Sequence, residues 1–453
     1  MKLSRVMSVI LIVLAVLAWT AFILAPKDKT KKELKQHLDS AEDYLGRGLY
    51  QKAIEEYDEA LKIEPENEHI WTDKLSAYDL LYAEDDSSNI YSKYVNESKK
   101  SIMAFPKSEK FHLVAAKLYL SHDDYKSAYR ILSKAVDSGV VNDEILALHL
   151  KSKYAFELKW NKYTEVKDCI NGIYEVLDYG KWVYVDEKGN KIKYPAFSFA
   201  GPVGEDDIRF VSELDSDRNY LIDSDKVIQG FFEDKPVEAG VFSENIIAVK
   251  CSDKYSYYDM LGDILFDAAE YDFAGTFYKG TAAVKQNGKW YIINKEGKKV
   301  SDEVYDDIIL NADYTYLKKG VKSLKPEGDS KYSVYVNDKL IGSFDNVGSV
   351  SNDGLIAVRD GGKWGFINLK GEYVIAPQYA NARSFSNGLA AVSDGDKWGF
   401  VDKKGELAIP YQFYDVGYFN KSGCCMVLTE QKSDEETKEI KNTWRVISLY
   451  NKI

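Results

Sequence analysis

The chain copies itself. "GGKWGFINLKGEYVIAP" at 361–377 and "GDKWGFVDKKGELAIP" at 395–410 are near duplicates, and self-similarity at a fixed period restricts a chain to architectures in which one small unit stacks on the next. "KWVYVDEKG" at 181 and "KWYIINKEG" at 289 are clear further members, with weaker ones in "RNYLID" at 218, "KYSYYDMLG" at 254, "KYSVYVND" at 331 and "TWRVIS" at 443. Successive copies stand mostly 31 to 37 residues apart, with longer gaps before the fifth and the last. The stretch upstream of each copy recurs as well, as "FSENIIAVK", "FYKGTAAVK", "SNDGLIAVR" and "FSNGLAAVS", so about eight units fill residues 171–453.

Within one unit the alternation of apolar and polar residues predicts three strands: Leu389 to Ser393, Lys397 to Asp402, and a third ended by Pro410, with turns at 394–396 and 403–405. A three-stranded β-meander of this size is not stable alone in water. Its neighbours must supply the surface that buries its rings, which makes Trp182, Trp290, Trp364 and Trp398 repeat-core residues. On these motifs the stretch resembles the WG (KWG) repeat family, found mostly in bacterial proteins, often in tandem and sometimes joined to helical repeats. The full motif stands in the last two complete copies; earlier ones carry Val183 or Tyr291 after the Trp, and three lack the Trp. Tandem meanders fit either a closed propeller-like ring or an open β superhelix, and the unequal spacing favours the open form.

Ahead of this region, residues 33–170 have helical periodicity. In "AEDYLGRGLYQKAIEEYDEALKIEPEN", 41–67, the apolar positions Leu45, Leu49, Ala53, Ile54, Tyr57, Ala60 and Leu61 recur at helical spacing, broken near Gly46 and Gly48 and stopped by Pro65. Ala41, Tyr44, Gly48, Ala53, Tyr57, Ala60 and Pro65 resemble the tetratricopeptide (TPR) repeat of about 34 residues. A second copy starts near Trp71 and closes at Pro106, a third carries Ala116, Tyr119, Tyr125, Ala128 and Ala135, and further helices over 144–158 and after Trp160 would cap the array. The resemblance implies an extended protein or peptide partner held in a concave face, with Lys35, Glu42, Thr72, Asp79 and Lys117 along it.

Residues 6–25, "VMSVILIVLAVLAWTAFILA", run twenty residues without a charge, enough to span the roughly 30 Å of bilayer hydrocarbon as a helix. The segment reads as an uncleaved transmembrane anchor behind a tail of residues 1–5. The expectation is a single-pass protein of the cell membrane with its bulk outside the cytoplasm, although Lys2 and Arg5 before the span and Lys27, Lys29, Lys31 and Lys32 after it give no clean vote on orientation. The fold class is then α and β multi-domain: transmembrane helix, TPR solenoid, tandem three-stranded β-meander repeats.

The chemistry available is narrow. His37, His69, His112, His122 and His149 all precede residue 150, so no Ser-His-Asp triad or His-ligated metal can be built from the β region alone. The four cysteines show no C-x-x-C spacing, no phosphate-binding glycine loop occurs, and "DSDRNY" departs from a calcium loop at Tyr220 and Lys226. A formal charge of −12 opposes nucleic acid. With no cofactor, metal or catalytic residue indicated, the expectation is a non-enzymatic, membrane-tethered interaction scaffold using both arrays as platforms. The alternative is a cell-wall or carbohydrate binder, because 34 Tyr, 19 Phe and 8 Trp provide rings that could stack on sugars.

Overall fold

The structure, a computed structural model, describes residues 29–451 apart from 193–194, 217, 224–225, 231–235, 252, 267–270, 352 and 434–438. The chain forms two compact units that divide after Lys153. In the first, helices α1 (29–46), α2 (Tyr50–Ile63), α3 (Glu68–Glu84), α4 (Ser88–Ala104), α5 (Glu109–Leu120), α6 (Tyr125–Asp137) and α7 (Asp143–Lys153) follow one another through short turns. Gly48, at φ +70°, makes the left-handed turn between α1 and α2 that a side chain would strain. Asn67 caps α3 by accepting from the His69 and Ile70 amides, and Asp124 caps α6 through the Ser127 amide. Ala41, Ala53 and Ala60 are wholly buried, so the helices approach closely, and Tyr57, Trp71 and Tyr78 fill the space between pairs. One charge is buried with them: Lys74 is 2 % exposed and donates to Asp58 at 2.5 Å and to Glu97.

The expected anchor at 6–25 and tail at 1–5 lie outside the described residues. Among the described residues no helix is long and apolar enough to cross a membrane, and α3 and α4, 17 residues each, carry charges along their length. The expectation of a single-pass membrane protein is corrected accordingly. The C-terminal cap also differs from expectation. Helix α7 stops at Lys153, and Phe156–Leu158 is a strand, because these residues find an unpaired sheet edge at Ile440–Leu449 and tertiary pairing overrides local propensity.

In the second unit, each repeat opens with a short strand: Glu165–Val166, Phe197–Ala200, Pro236–Ala239, Phe273–Ala274, Tyr305–Ile308, Asn346–Val347, Asn381–Ala382 and Asp415–Val416. Each of these pairs antiparallel with the next strand of its repeat and adds a position to the three expected; Phe197–Ala200 and Tyr305–Ile308 each serve two neighbouring units, and the third unit shows three strands among the described residues. The extra strand is often two residues long, too short to show alternation. Successive units pack face to face through buried aromatic and β-branched clusters, such as Tyr184 with Val211 and Phe366 with Phe385. The eighth unit returns to the first through Cys424, Met426 and Val446 against Tyr163, Tyr174 and Val176. Its outer strand is Phe156–Leu158 from the start of the unit, paired with Ile440–Leu449. The repeats therefore close into a ring, where unequal spacing had favoured an open superhelix; the longer gaps are taken up in turns and longer hairpins.

Polar links on the loops after the first strands run around the closed ring. Asn171 Nδ2 donates to the Val203 carbonyl at 2.9 Å, the Glu244 amide to Glu205 at 2.9 Å, and the Gly280 amide to Glu244 at 3.1 Å. Thr281 meets Tyr316 at 3.0 Å, and the Val350 amide donates to Asn311 at 3.0 Å. The Gly388 amide donates to Asp353 at 2.7 Å, Ser386 to the Phe419 carbonyl at 2.7 Å, and Asn420 to the Glu187 carbonyl at 2.8 Å. Each link joins one unit to the next, the last returning to the first.

The repeated motif has a physical reason. Trp364 stands opposite Tyr379, and Trp398 opposite Phe413. The residue two after each Trp meets a ring of the following unit edge-on, Phe366 on Phe385 and Phe400 on Phe419, both at 4.8 Å. The outer strands Tyr373–Tyr379 and Leu407–Phe413 run on through Pro377 and Pro410 instead of ending there, and their register shifts where they cross the glycine. A Cβ on Gly399 would lie 2.5 Å from the Ile409 carbonyl oxygen. The glycine exists to let this bulged outer strand lie on the middle one.

Candidate interaction sites

In the helical unit, a groove of about 590 Å³ lies among α3, α4 and α5. Thr72, Asp79 and Lys117 line it, with Leu75, Leu80, Val114 and Leu118 between them. The structure thus brings together three of the five residues placed on the concave face. Asp79 accepts from the Tyr94 hydroxyl, and burial together with this carboxylate pushes the Tyr94 phenol up, so it stays a neutral donor. Lys117 is held by Glu144 at 2.6 Å. Lys35 lies elsewhere, in an open depression on α1 with Asp39, Asp43 and Arg47. Glu42 lines neither; it is exposed and, after burial and Asp73, helps raise the Tyr57 phenol to about 12. The apolar lining, absent from the sequence reading, was visible as Leu80 and Val114, which extend the apolar set of their helices beyond a single buried stripe.

On the ring, an opening of about 550 Å³ is lined from the first, fifth, sixth, seventh and eighth units by residues including Asn171, Asp313, Lys318, Asp353, Tyr418 and Lys421. Residues this far apart in sequence meet only at the ring's axis. Ser349 and Tyr418 hydroxyls meet there at 3.1 Å, and Arg383 pairs with Asp415 at 3.0 Å. Polar groups fill the wall, giving hydrogen-bonding capacity, and Ser422 Oγ donates to Glu187 at 2.6 Å beside it. The described residues hold no three His, Cys, Asp or Glu side chains placed for a metal.

Glu175 is, with Thr276 and Trp290, one of the buried residues of this unit whose polar atoms are not all hydrogen-bonded. It is 1 % exposed, with Oε1 lacking a hydrogen-bond partner. Burial pushes its carboxyl up to about 8, Lys167 opposing and Asp168 adding to the rise. A folded pKa above the unfolded one means the neutral acid stabilises the fold at low pH, and this contribution is lost as pH rises from the ordinary carboxyl range through 8. Glu175→Gln is therefore expected to match the parent in urea midpoint at pH 5 and to exceed it at pH 9, by on the order of 2 kcal/mol. Parallel midpoints at both pH values would contradict a neutral Glu175.

The four repeat tryptophans are not open stacking platforms. Trp290 is 6 % exposed, and Trp182, Trp364 and Trp398 are half-buried. Lys167 lies 4.7 Å from the Trp182 ring and Arg383 5.0 Å from Trp398, so the protein's own cations cover those faces. Sequence reading missed their partners, though the signal was present: an aromatic residue stands fifteen positions after each Trp, at Phe197, Tyr305, Tyr379 and Phe413.

Comparison with known proteins adds the following. Residues 255–290, 343–364, 364–398 and 398–432 match the family model described as "WG containing repeat". No curated protein matches the chain. Among solved structures, Kluyveromyces lactis Hsv2 is similar at 9 % identity and TM-score 0.36, over 64 % of this chain and 99 % of that one. The Sgt2 TPR domain from Aspergillus fumigatus is similar at 21 % identity and TM-score 0.21, over 27 % of this chain and 77 % of that one. The TPR2B domain of yeast Sti1 in its pHsp70 complex is similar at 19 % identity and TM-score 0.21, over 27 % of this chain and 96 % of that one. The ring thus contains stretches of WG-repeat sequence, and the units beyond the matched residues share their strand order.

Proposed function

We propose that this chain is a non-enzymatic interaction protein whose helical unit takes an extended peptide and whose β ring serves as a second platform. The observation that carries the reading is the groove of α3 and α5, where polar Thr72, Asp79 and Lys117 alternate with apolar Leu75, Leu80 and Val114. Such alternation suits an extended segment: backbone and polar side chains meet the polar positions, and one or two apolar side chains fill the gaps. Leu80 is 44 % exposed, so a charge there leaves the helical core intact.

The test is selection of peptides from a random library on the full chain, followed by titration of the selected peptides against Leu80→Glu and Val114→Glu. Affinity is expected to fall by about tenfold or more in each, as for the centre of a small interface, with unchanged circular dichroism. Selected peptides that bind both variants as tightly as the parent would place the interaction elsewhere.

A further inference from the structure

A second cavity, of about 360 Å³, lies among α4, α5 and α6. His112 and Tyr119 line it from α5, while Val114 and Lys117 of the same helix line the groove. At 100° per residue these pairs stand on opposite sides of α5, so the two sites are separate. Three cations surround the cavity, Lys99, Arg130 and Lys134, and no acidic residue lines it. None of the three is ion-paired among the described residues: Arg130 donates to Ser127 Oγ at 3.1 Å, and Lys99 sits 5.5 Å from the Tyr119 ring. The contrast is local, since Lys74, Lys100 and Lys117 in the same unit all hold carboxylates. Between the cations the lining is apolar, with Ile102, Ile131 and Met103, the last 73 % exposed. His112 is 4 % exposed, and its Nδ1 is occupied by the Ser108 carbonyl at 2.9 Å.

We infer that this cavity is a docking site for an acidic, apolar-containing segment of a partner protein, distinct from the groove. Charge complementarity chooses the occupant. Three unneutralised cations on a chain of net charge −12 attract carboxylates locally, and the planar guanidinium of Arg130 suits a carboxylate in two-point contact. The apolar lining chooses against a bare anion, because Met103 and Ile102 offer nothing to a phosphate and a dry seat to a leucine side chain. The volume fits one or two side chains.

The probe is a fluorescein-labelled decapeptide of alternating glutamate and leucine, titrated by anisotropy against the full chain at low salt, with a lysine-leucine counterpart as control. Saturable binding of the acidic peptide is expected, weakened about tenfold or more by Arg130→Glu with Lys134→Glu and severalfold by Met103→Asp. The groove variant Val114→Glu should leave it unchanged, which separates this site from the one proposed above. All three substituted cavity positions are exposed, so folding is checked by circular dichroism alone. No saturation by the acidic peptide, or equal binding by the doubly reversed variant, would overturn the inference. So would binding to phosphatidylserine vesicles that the charge reversals abolish while the peptide never binds, because the cavity would then serve a lipid surface.

Discussion

Gly399→Val is expected to destabilise the ring by about 3 kcal/mol, the scale of overpacking a filled interior. The added Cβ would lie 2.5 Å from the Ile409 carbonyl oxygen and 2.9 Å from the Pro410 carbonyl carbon and the Tyr411 nitrogen. These are backbone atoms, so no rotamer change relieves the contact, and the outer strand Leu407–Phe413 must lift off the middle one. Gly365→Val meets the same obstacle, with the Ile375 oxygen at 2.6 Å and the Pro377 nitrogen at 2.7 Å. Position 183 supplies the internal control. Valine stands there naturally, and the following strand touches its neighbour at a single pair, Trp182 with Phe197. Val183→Gly is accordingly expected to cost only about 1 kcal/mol, from lost packing and backbone entropy. Urea unfolding followed by tryptophan fluorescence would decide it. Equal midpoints for Gly399→Ala and the parent would mean that the strand crossing tolerates a side chain and that the glycine of the motif has another origin.

The same comparison shows what could be read from sequence and what could not. The helical pairs were legible because apolar residues recur at i, i+3 and i+4 and because Gly48 and Pro65 punctuate them. The second and third strands of each unit were legible from alternation. The first strands were not, since two residues such as Asn381–Ala382 carry no period. Pro410 misled for a related reason: proline ends a strand whose amide must bond, but Leu407–Phe413 is the outer strand of its unit, where a missing amide costs nothing. In the groove, Thr72, Asp79 and Lys117 followed from repeat position. Lys35 and Glu42 followed from the same rule and lie elsewhere, because the groove is bounded by α3 and α5 and does not extend to α1. The membrane expectation rested on local hydropathy in a segment that the described residues do not include. Closure of the ring was illegible in principle: a strand near residue 157 pairing with one near 448 leaves no local trace.

That closure is also where removal of a few residues should matter most. Phe156, Glu157 and Leu158 pair with Leu449, Ser448 and Ile447. Beside them the Lys159 amide donates to the Val446 carbonyl at 2.8 Å, and Arg445 Nε and Nη2 donate to the Lys159 carbonyl at 2.9 and 2.6 Å. Without this strand, Tyr163 still bridges Trp444, but the Val446–Leu449 end of Ile440–Leu449 becomes a free edge whose Val446 and Ile447 are otherwise buried, the arrangement that recruits other chains. A fragment of residues 154–453 is expected to retain one cooperative thermal transition, and a fragment of residues 160–453 to lose it or to aggregate below the parent's midpoint. Six residues at the start of the unit would then govern a unit of 300, because the sheet that joins the last repeat to the first keeps its outer position filled only while they are present. If the shorter fragment instead melts with the longer one, the first and last units hold together without it, through the buried faces of Tyr174 and Val176 against Cys424 and Met426 and through the Tyr163–Trp444 bridge. The strand would then be an ornament on a ring already closed by packing, and the polar links between the loops of neighbouring units would have to carry its registration.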